Sequence, residues 1–109
     1  LASLTEMYMV VVDEQSTVGA QQLAARWRAE GLNVEVDVTG RKIDKQIKTA
    51  IKKNIPNMVF VGTEELETEM YGLKEITSGN EQKLSFERVV STLKDRRRKL
   101  SASEDDLLL

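Results

Sequence analysis

Cysteine and histidine are both missing from this 109-residue chain. Their absence removes any disulfide framework, any thiolate or imidazole metal site, the cysteine nucleophile and the commonest general base. Glycine is sparse where phosphate loops need it. Gly62 stands alone, and Gly40 precedes a helical pattern without the Walker spacing. No apolar run approaches the roughly 20 residues that a membrane helix requires. The opening "LASLTEMYM" lacks the basic region that precedes the apolar core of a signal peptide. The missing thiols are compatible with the cytosol, and cytoplasmic is the expected location. The chain does not start with methionine, which suggests a piece of something longer.

What is present fits one domain. Apolar residues make up 40% and charged residues 31%, enough for a modest core under a soluble surface. The formal net charge is -2 and the pI is about 5.3, so any contact with nucleic acid or membrane must be local rather than spread over the whole surface.

The order of elements is readable from periodicity. "MYMVVVDE" is a valine-rich apolar run, the mark of a strand buried on both faces. Ser16 and Thr17 offer caps for a helix whose inner face is Ala20, Leu23, Ala24 and Trp27, and Gly31 sits where a left-handed cap would end it. "NVEVDV" alternates, with Val34, Val36 and Val38 on one face and Glu35 and Asp37 on the other, as in a half-buried strand near a sheet edge. Ile43, Ile47, Ala50 and Ile51 mark the inner face of a second helix, which Pro56 stops. "NMVFVG" is another buried strand. The strand-helix-strand-helix-strand order predicts parallel pairing with right-handed crossovers. "EMYGLKEI" and "EQKLSF" flank the turn-rich Thr77–Asn80 and read as a hairpin. Ser85 caps a last helix with Phe86, Val89, Val90 and Leu93 inward, ending in "KDRRRK". Residues 1–6 are a lead-in, 7–99 the domain, and 100–109 an acidic tail without cap or period, expected to be disordered or dependent on a partner.

The concentrated charge lies in "TGRKIDKQIKTAIKKNIP". Arg41, Lys42, Lys45, Lys48, Lys52 and Lys53 are basic and only Asp44 is acidic. At about 100° per residue, Arg41, Lys45, Lys48 and Lys52 form a stripe opposite Ile43, Ile47 and Ile51, with Lys42, Gln46, Thr49 and Lys53 on a flank. A solvated face is the plain explanation of such a stripe. The shortage of glutamate argues against it, because lysines three and four apart repel one another unless an anionic partner relieves them. The "KDRRRK" run has a structural explanation ready, since cations favour a helix C-terminus. A solvated loop is the plain explanation of "EELETE"; because it follows a buried strand, where ligands of open α/β sheets sit, Glu64 or Glu65 is also placed to accept hydrogen bonds from base edges. Asp13 and Glu14 after the first strand suggest a phospho-accepting receiver domain. That rival needs an aspartate after the third strand, where "VFVGTEE" has Gly-Thr-Glu.

Four stretches, "AQQLAARWRAEGLNVEVD", "GRKIDKQIKTAIKKNIP", "VFVGTEELE" and "YGLKEITSGNEQKLSFERVVSTL", resemble the C-terminal anticodon-binding domain of class IIa aminoacyl-tRNA synthetases. The resemblance runs from about Met7 to Leu93 and is strongest to the histidyl members. It rests on the lysine-rich helix before Ile-Pro, the strand ending Val-Gly-x-x-Glu, and "LKEITSG". It implies an α/β fold in three layers: a five-stranded mixed sheet, parallel βαβαβ then an antiparallel hairpin, with three helices. It also implies a domain that grips the anticodon stem-loop of a tRNA, tRNA-His for the histidyl members. The segment itself is then non-catalytic and without a cofactor. A separate catalytic domain, using ATP and magnesium, charges the tRNA, and a homodimer through that parent is among its partners. Carried over by position, Lys48 is the basic residue in the middle of the helix and Glu65 closes Val-Gly-x-x-Glu. Gln46 falls where a long polar side chain occurs, and Lys42 opens the helix. Arg41, Lys42, Lys45, Gln46, Lys48, Glu64 and Glu65 are thus the expected RNA-binding set. The alternative is a module of this fold reused for protein or regulatory RNA in a non-synthetase protein.

Overall fold

The structure, a computed structural model, describes residues 4–37 and 39–108, with side chains as far as residue 100. The apolar run Met7–Val11 forms β1, fully buried along its length. A 3-10 turn, Glu14–Ser16, leads into α1, Thr17–Ala29, which ends at Gly31 with a φ of 92°. The short strand β2, Val34–Val36, follows, then α2, Ile43–Lys52, and β3, Asn57–Val61. A six-residue helix α3, Thr63–Thr68, precedes the hairpin of β4, Met70–Glu75, and β5, Glu81–Ser85. Helix α4 runs from Phe86 to Leu108.

The five strands lie in the order β2-β1-β3-β4-β5. β1 pairs parallel with both β2 and β3, while β3–β4 and β4–β5 are antiparallel, as the sequence pattern predicts. Successive crossovers run to opposite sides of β1, so crossovers of one hand place α1 and α2 on opposite faces. Two cores result. On one face Met7, Met9, Val59 and Val61 meet Ala20, Leu23, Ala24 and Trp27 of α1 and Val89 and Leu93 of α4. On the other, Tyr8, Val10 and Met58 meet Ala50 of α2 and Ile55.

Four expectations need correcting. Ser16 precedes α1, but neither it nor Thr17 caps the helix: Ser16 Oγ donates to Asp13 Oδ1 at 2.6 Å and Thr17 Oγ1 to the Glu14 carbonyl. Ser85, by contrast, does accept from the Arg88 amide at the start of α4. Among the described residues there are four α-helices rather than three. Thr63–Thr68 shows no apolar period, yet Glu65 Oε1 accepts the Gly62 amide at 2.7 Å and closes the first turn of α3. Helix α4 continues through residues 100–108, where no cap was seen; no proline or glycine follows Phe86 to break it. Finally, Asp37 is buried rather than outward, for reasons that belong to the site. Val38, assigned to the inner face, lies outside the described residues.

Gly19 of α1 is needed for packing rather than for backbone freedom. A Cβ there would come within 2.6 Å of Leu66 Cδ1, so the glycine lets α3 lie close to α1.

Candidate nucleic-acid interface

Parallel strands end together, and loops leaving such an edge meet beside the N-termini of the helices that follow. Here a cleft of about 240 Å³ opens between the end of β1 (Val11–Glu14) and the start of α2, with Asp37, Gly40, Arg41, Lys42 and Gln46 in its wall. Asp37 organises that wall. Its Oδ1 accepts from the Thr39 amide at 2.8 Å and Thr39 Oγ1 at 2.6 Å. Its Oδ2 accepts from Arg41 Nε at 2.9 Å and the Tyr8 hydroxyl at 3.2 Å, with Arg41 Nη2 2.8 Å away in an ion pair. Burial pushes the Asp37 carboxyl up, but the Thr39 and Arg41 hydrogen bonds outweigh it and hold the group below its ordinary 3.8. Burial, with Asp37 beside it, pushes the Tyr8 phenol up to about 12.

A carboxyl with a depressed folded-state pKa stabilises above the unfolded value and loses that contribution as pH falls. Asp37→Asn is therefore expected to lower stability at neutral pH by about 1 to 3 kcal/mol. The gap to wild type should close as pH drops through the range below 3.8, and denaturant melts at several pH values would show it. A gap independent of pH would rule out the ionic form of Asp37.

The predicted contact residues divide sharply. Lys42, Lys45, Lys48 and Lys52 are exposed, and among the described residues none has a carboxylate within ion-pair distance. Arg41 and Lys53 are instead engaged, Arg41 on Asp37 and Lys53 on Glu35 at 2.9 Å. Lys42 occupies the N-cap of α2 and supplies no side-chain cap, so the helix's first amides and positive end are available beside the cleft. Gln46 is 1% exposed and donates into the protein, so the structure separates it from the exposed lysines. The inner face of α2 is rotated from the expected one: Gln46 and Ala50 are buried, while Ile43 and Ile51 are 38% and 52% exposed.

Glu64 and Glu65 open α3 at the end of β3, on the same sheet edge as the cleft. Glu65 closes its own helix turn, and the Glu64 carboxylate has no partner among the described residues. Asp13 joins the two strand ends. It accepts from Ser16 Oγ at 2.6 Å and the Thr63 amide at 3.1 Å, which hold its carboxyl below the usual range.

Sequence reasoning missed Lys74 and Lys83. The register aligns Phe60, Gly72 and Lys83 across β3, β4 and β5, and Met58, Lys74 and Glu81 in the next row. Met58 and Phe60 belong to the core under α2, so both lysines share that face of the sheet. Neither has an ion pair among the described residues. The signal was strand alternation, but only the pairing register tells which face α2 occupies. Glu81 shares that face with the two lysines, and the partly buried Phe60 lies in the same row as Lys83.

The second basic run behaves differently. Arg96 donates to Asn57 and lies 3.6 Å from Glu75. Arg97 Nε donates to Glu6 at 2.8 Å and Nη2 to the Gly31 carbonyl at 2.8 Å. Arg98 and Lys99 both face Asp95 at 3.4 and 3.2 Å. Arg96 and Arg97 tie α4 to its surroundings and Arg98 and Lys99 pair within the helix, so among the described residues only Lys94 of this run has no ion pair.

Comparison with known proteins adds a direct finding. A family model described as the anticodon binding domain matches residues 6–96. The histidine–tRNA ligase of Cytophaga hutchinsonii is 33% identical over 89 residues, covering 82% of this chain and 20% of that protein. The ligase of Lysinibacillus sphaericus is 30% identical over 92 residues, covering 84% and 22%. Among solved structures, histidyl-tRNA synthetase from Nostoc sp. PCC 7120 superposes with a TM-score of 0.77 at 22% identity, over 86% of this chain and 22% of that one. The RNA binding domain of threonyl-tRNA synthetase from Cryptosporidium parvum Iowa II gives 0.78 at 16%, over 85% and 24%. At those identities the structural likeness speaks for the fold. The chain spans about a fifth of the length of the curated relatives.

Proposed function

Since the chain belongs to the anticodon binding domain family, we propose that it binds the anticodon stem-loop of a tRNA, tRNA-His, as the anticodon-reading portion of a histidine–tRNA ligase. One observation carries the reading: in a chain of net charge -2, Lys42 in the cleft wall and Lys45, Lys48 and Lys52 along α2 stand exposed, with no ion pair among the described residues. The curated relatives are named histidine–tRNA ligases, which supports the choice of tRNA.

The roles follow from chemistry. Lys42, Lys45, Lys48 and Lys52 meet backbone phosphates. Arg41, held in place by Asp37, keeps guanidinium donors free at the cleft. Glu64 accepts from a base edge, and Glu65 does so only if it leaves the Gly62 amide. Unstacked loop bases present Watson–Crick edges, which suit carboxylates. Lys74 and Lys83 extend the contact across the sheet. Activation of the amino acid with ATP and magnesium belongs to a catalytic portion that partners this segment. No helix among the described residues is long and apolar enough to cross a membrane.

Binding of the wild-type chain to a panel of anticodon stem-loops at two salt concentrations tests the proposal. Four phosphate contacts on a single-stranded loop give a slope of log affinity against log salt of roughly -3. The loop with a histidine anticodon should bind most tightly. Equal affinity for every loop would remove the base-reading role, and no binding would remove the proposal.

A further inference from the structure

We infer that Gln46 is the positioning residue of this interface, a side chain that never touches RNA but fixes where Arg41 and Lys42 present themselves. The inference rests on the RNA-binding reading above and goes further by assigning a residue to its geometry.

The reasoning starts with an incomplete ladder. The Val12 amide donates to the Val61 carbonyl on the β3 side at 2.9 Å. Backbone groups alternate in direction along a parallel strand, so the Val11 N–H and C=O point the other way, toward β2. The register of β2 stops at Val36, opposite Met9, which leaves Val11 without a described strand partner on that side. Buried backbone groups without partners are rare and costly.

The Gln46 carboxamide takes the vacant place. The Val11 amide donates to Gln46 Oε1 at 2.8 Å, and Nε2 donates to the Val11 carbonyl at 2.9 Å. Its second N–H donates to the Arg41 carbonyl at 2.8 Å. The reverse orientation of the amide would set donor against donor and oxygen against two carbonyls. Both donors and the acceptor are therefore committed, in a side chain only 1% exposed.

Three consequences follow for the site. The bond to the Arg41 carbonyl fixes the residue immediately before Lys42, at a helix start that has no side-chain cap. Asp37 holds the Arg41 side chain while Gln46 holds its backbone, so this residue is fixed at both ends. The same amide ties the first turns of α2 to the end of β1, across the cleft that both line. Lys52, at the far end of α2, gains nothing from the clamp.

A double-mutant cycle separates this role from general support of the helix. The substitution Gln46→Met keeps length and packing but removes all three hydrogen bonds. With the stem-loop that wild type binds best, Lys42→Ala should weaken binding about fivefold near 0.1 M salt in the parent. In the Gln46→Met background the same change should weaken it less than twofold. Lys52→Ala should cost the same factor in both backgrounds, and circular dichroism confirms that each variant is folded. If Gln46→Met does not fold, the cycle in Gln46→Glu decides, since that side chain retains the acceptor for Val11. An additive Lys42 cycle overturns the assignment, and so does equal coupling to Lys42 and Lys52, which would mean a loosened helix. A wild-type chain that binds no stem-loop overturns the RNA reading and the assignment together.

Discussion

Reversing two charges, Lys45→Glu with Lys48→Glu, should weaken binding of an anticodon stem-loop by far more than any other surface change, and flatten its salt dependence. Each phosphate contact on a single strand contributes about 0.7 to the slope, so losing two lowers its magnitude by roughly 1.4. Near 0.1 M salt that loss alone is about 25-fold in affinity, and two introduced carboxylates facing phosphates take it to the order of 100-fold. The fold should not suffer. Both side chains are exposed and unpaired among the described residues, and glutamate is as good a helix former as lysine. The two introduced carboxylates repel one another as the lysines did, but the one at position 48 meets Lys52 four residues on. Titration by fluorescence anisotropy at several salt concentrations measures both quantities. The matched control is Arg98→Glu with Lys99→Glu, which changes net charge by the same amount on α4, where both face Asp95. That pair should leave affinity within twofold. If the two double variants lost affinity alike, net charge rather than a located stripe would govern binding, and the placement on α2 would fail.

The contrast between these two helices marks the limit of what the sequence makes legible. Both basic runs look alike on paper, and the charge imbalance in α2 is visible as a lack of glutamate nearby. Whether a cation is free depends on carboxylates brought from elsewhere: Glu6 and Glu75 reach Arg97 and Arg96 only through the fold. The strands and the inner face of α1 are legible because burial on both faces, or on one, leaves a plain apolar period. The hairpin is legible because Thr77–Asn80 is rich in turn residues, and Gly79 there has a φ of 75°.

Gln46 and Asp37 are harder. A polar residue on an amphipathic pattern reads as surface, and strand alternation sets Asp37 outward. Gln46 is drawn in by the Val11 backbone groups left unpaired where β2 ends early, and Asp37 by the Tyr8, Thr39 and Arg41 donors that surround it. No local period encodes either set of partners. Two local hints existed. Ala50 lies one turn beyond Gln46 and wants burial, and an aspartate two residues before a threonine favours a turn closed by its carboxylate. Helix α3 escapes notice for a different reason. It is held by Glu65 on Gly62 and by Leu66 against Gly19, not by an apolar face of its own.

Trp27→Ala should produce the largest loss of stability available in this chain, with little effect on RNA affinity. The indole is fully buried between two rings, parallel to Phe86 with centroids 5.5 Å apart and edge-on to Tyr71 at 5.3 Å. Its Nε1 donates to the Phe86 carbonyl at 3.2 Å, joining α1 to the first residue of α4. Truncation opens a cavity and removes the indole's hydrogen bond, a combined cost of about 3 to 5 kcal/mol. Domains of this size are stable by only about 5 to 15 kcal/mol, so the melting temperature should fall by roughly 15 °C or more. Trp27→Phe keeps a ring and loses the N–H, and should fall by a third of that or less. Thermal unfolding followed by circular dichroism measures both, and a shift below about 5 °C for alanine would mean that this cluster does not hold α4 to α1. The functional half of the prediction comes from the two-faced sheet. Trp27 lies in the core opposite α2, whereas Tyr8, Val10, Ala50 and Met58 support the lysines from the other side. At low temperature, where the variant is still folded, its affinity for the stem-loop should stay within about twofold of wild type. A large loss there would show that the two cores are coupled through the strands, and that the interface depends on packing across the whole sheet rather than on the layer directly beneath it.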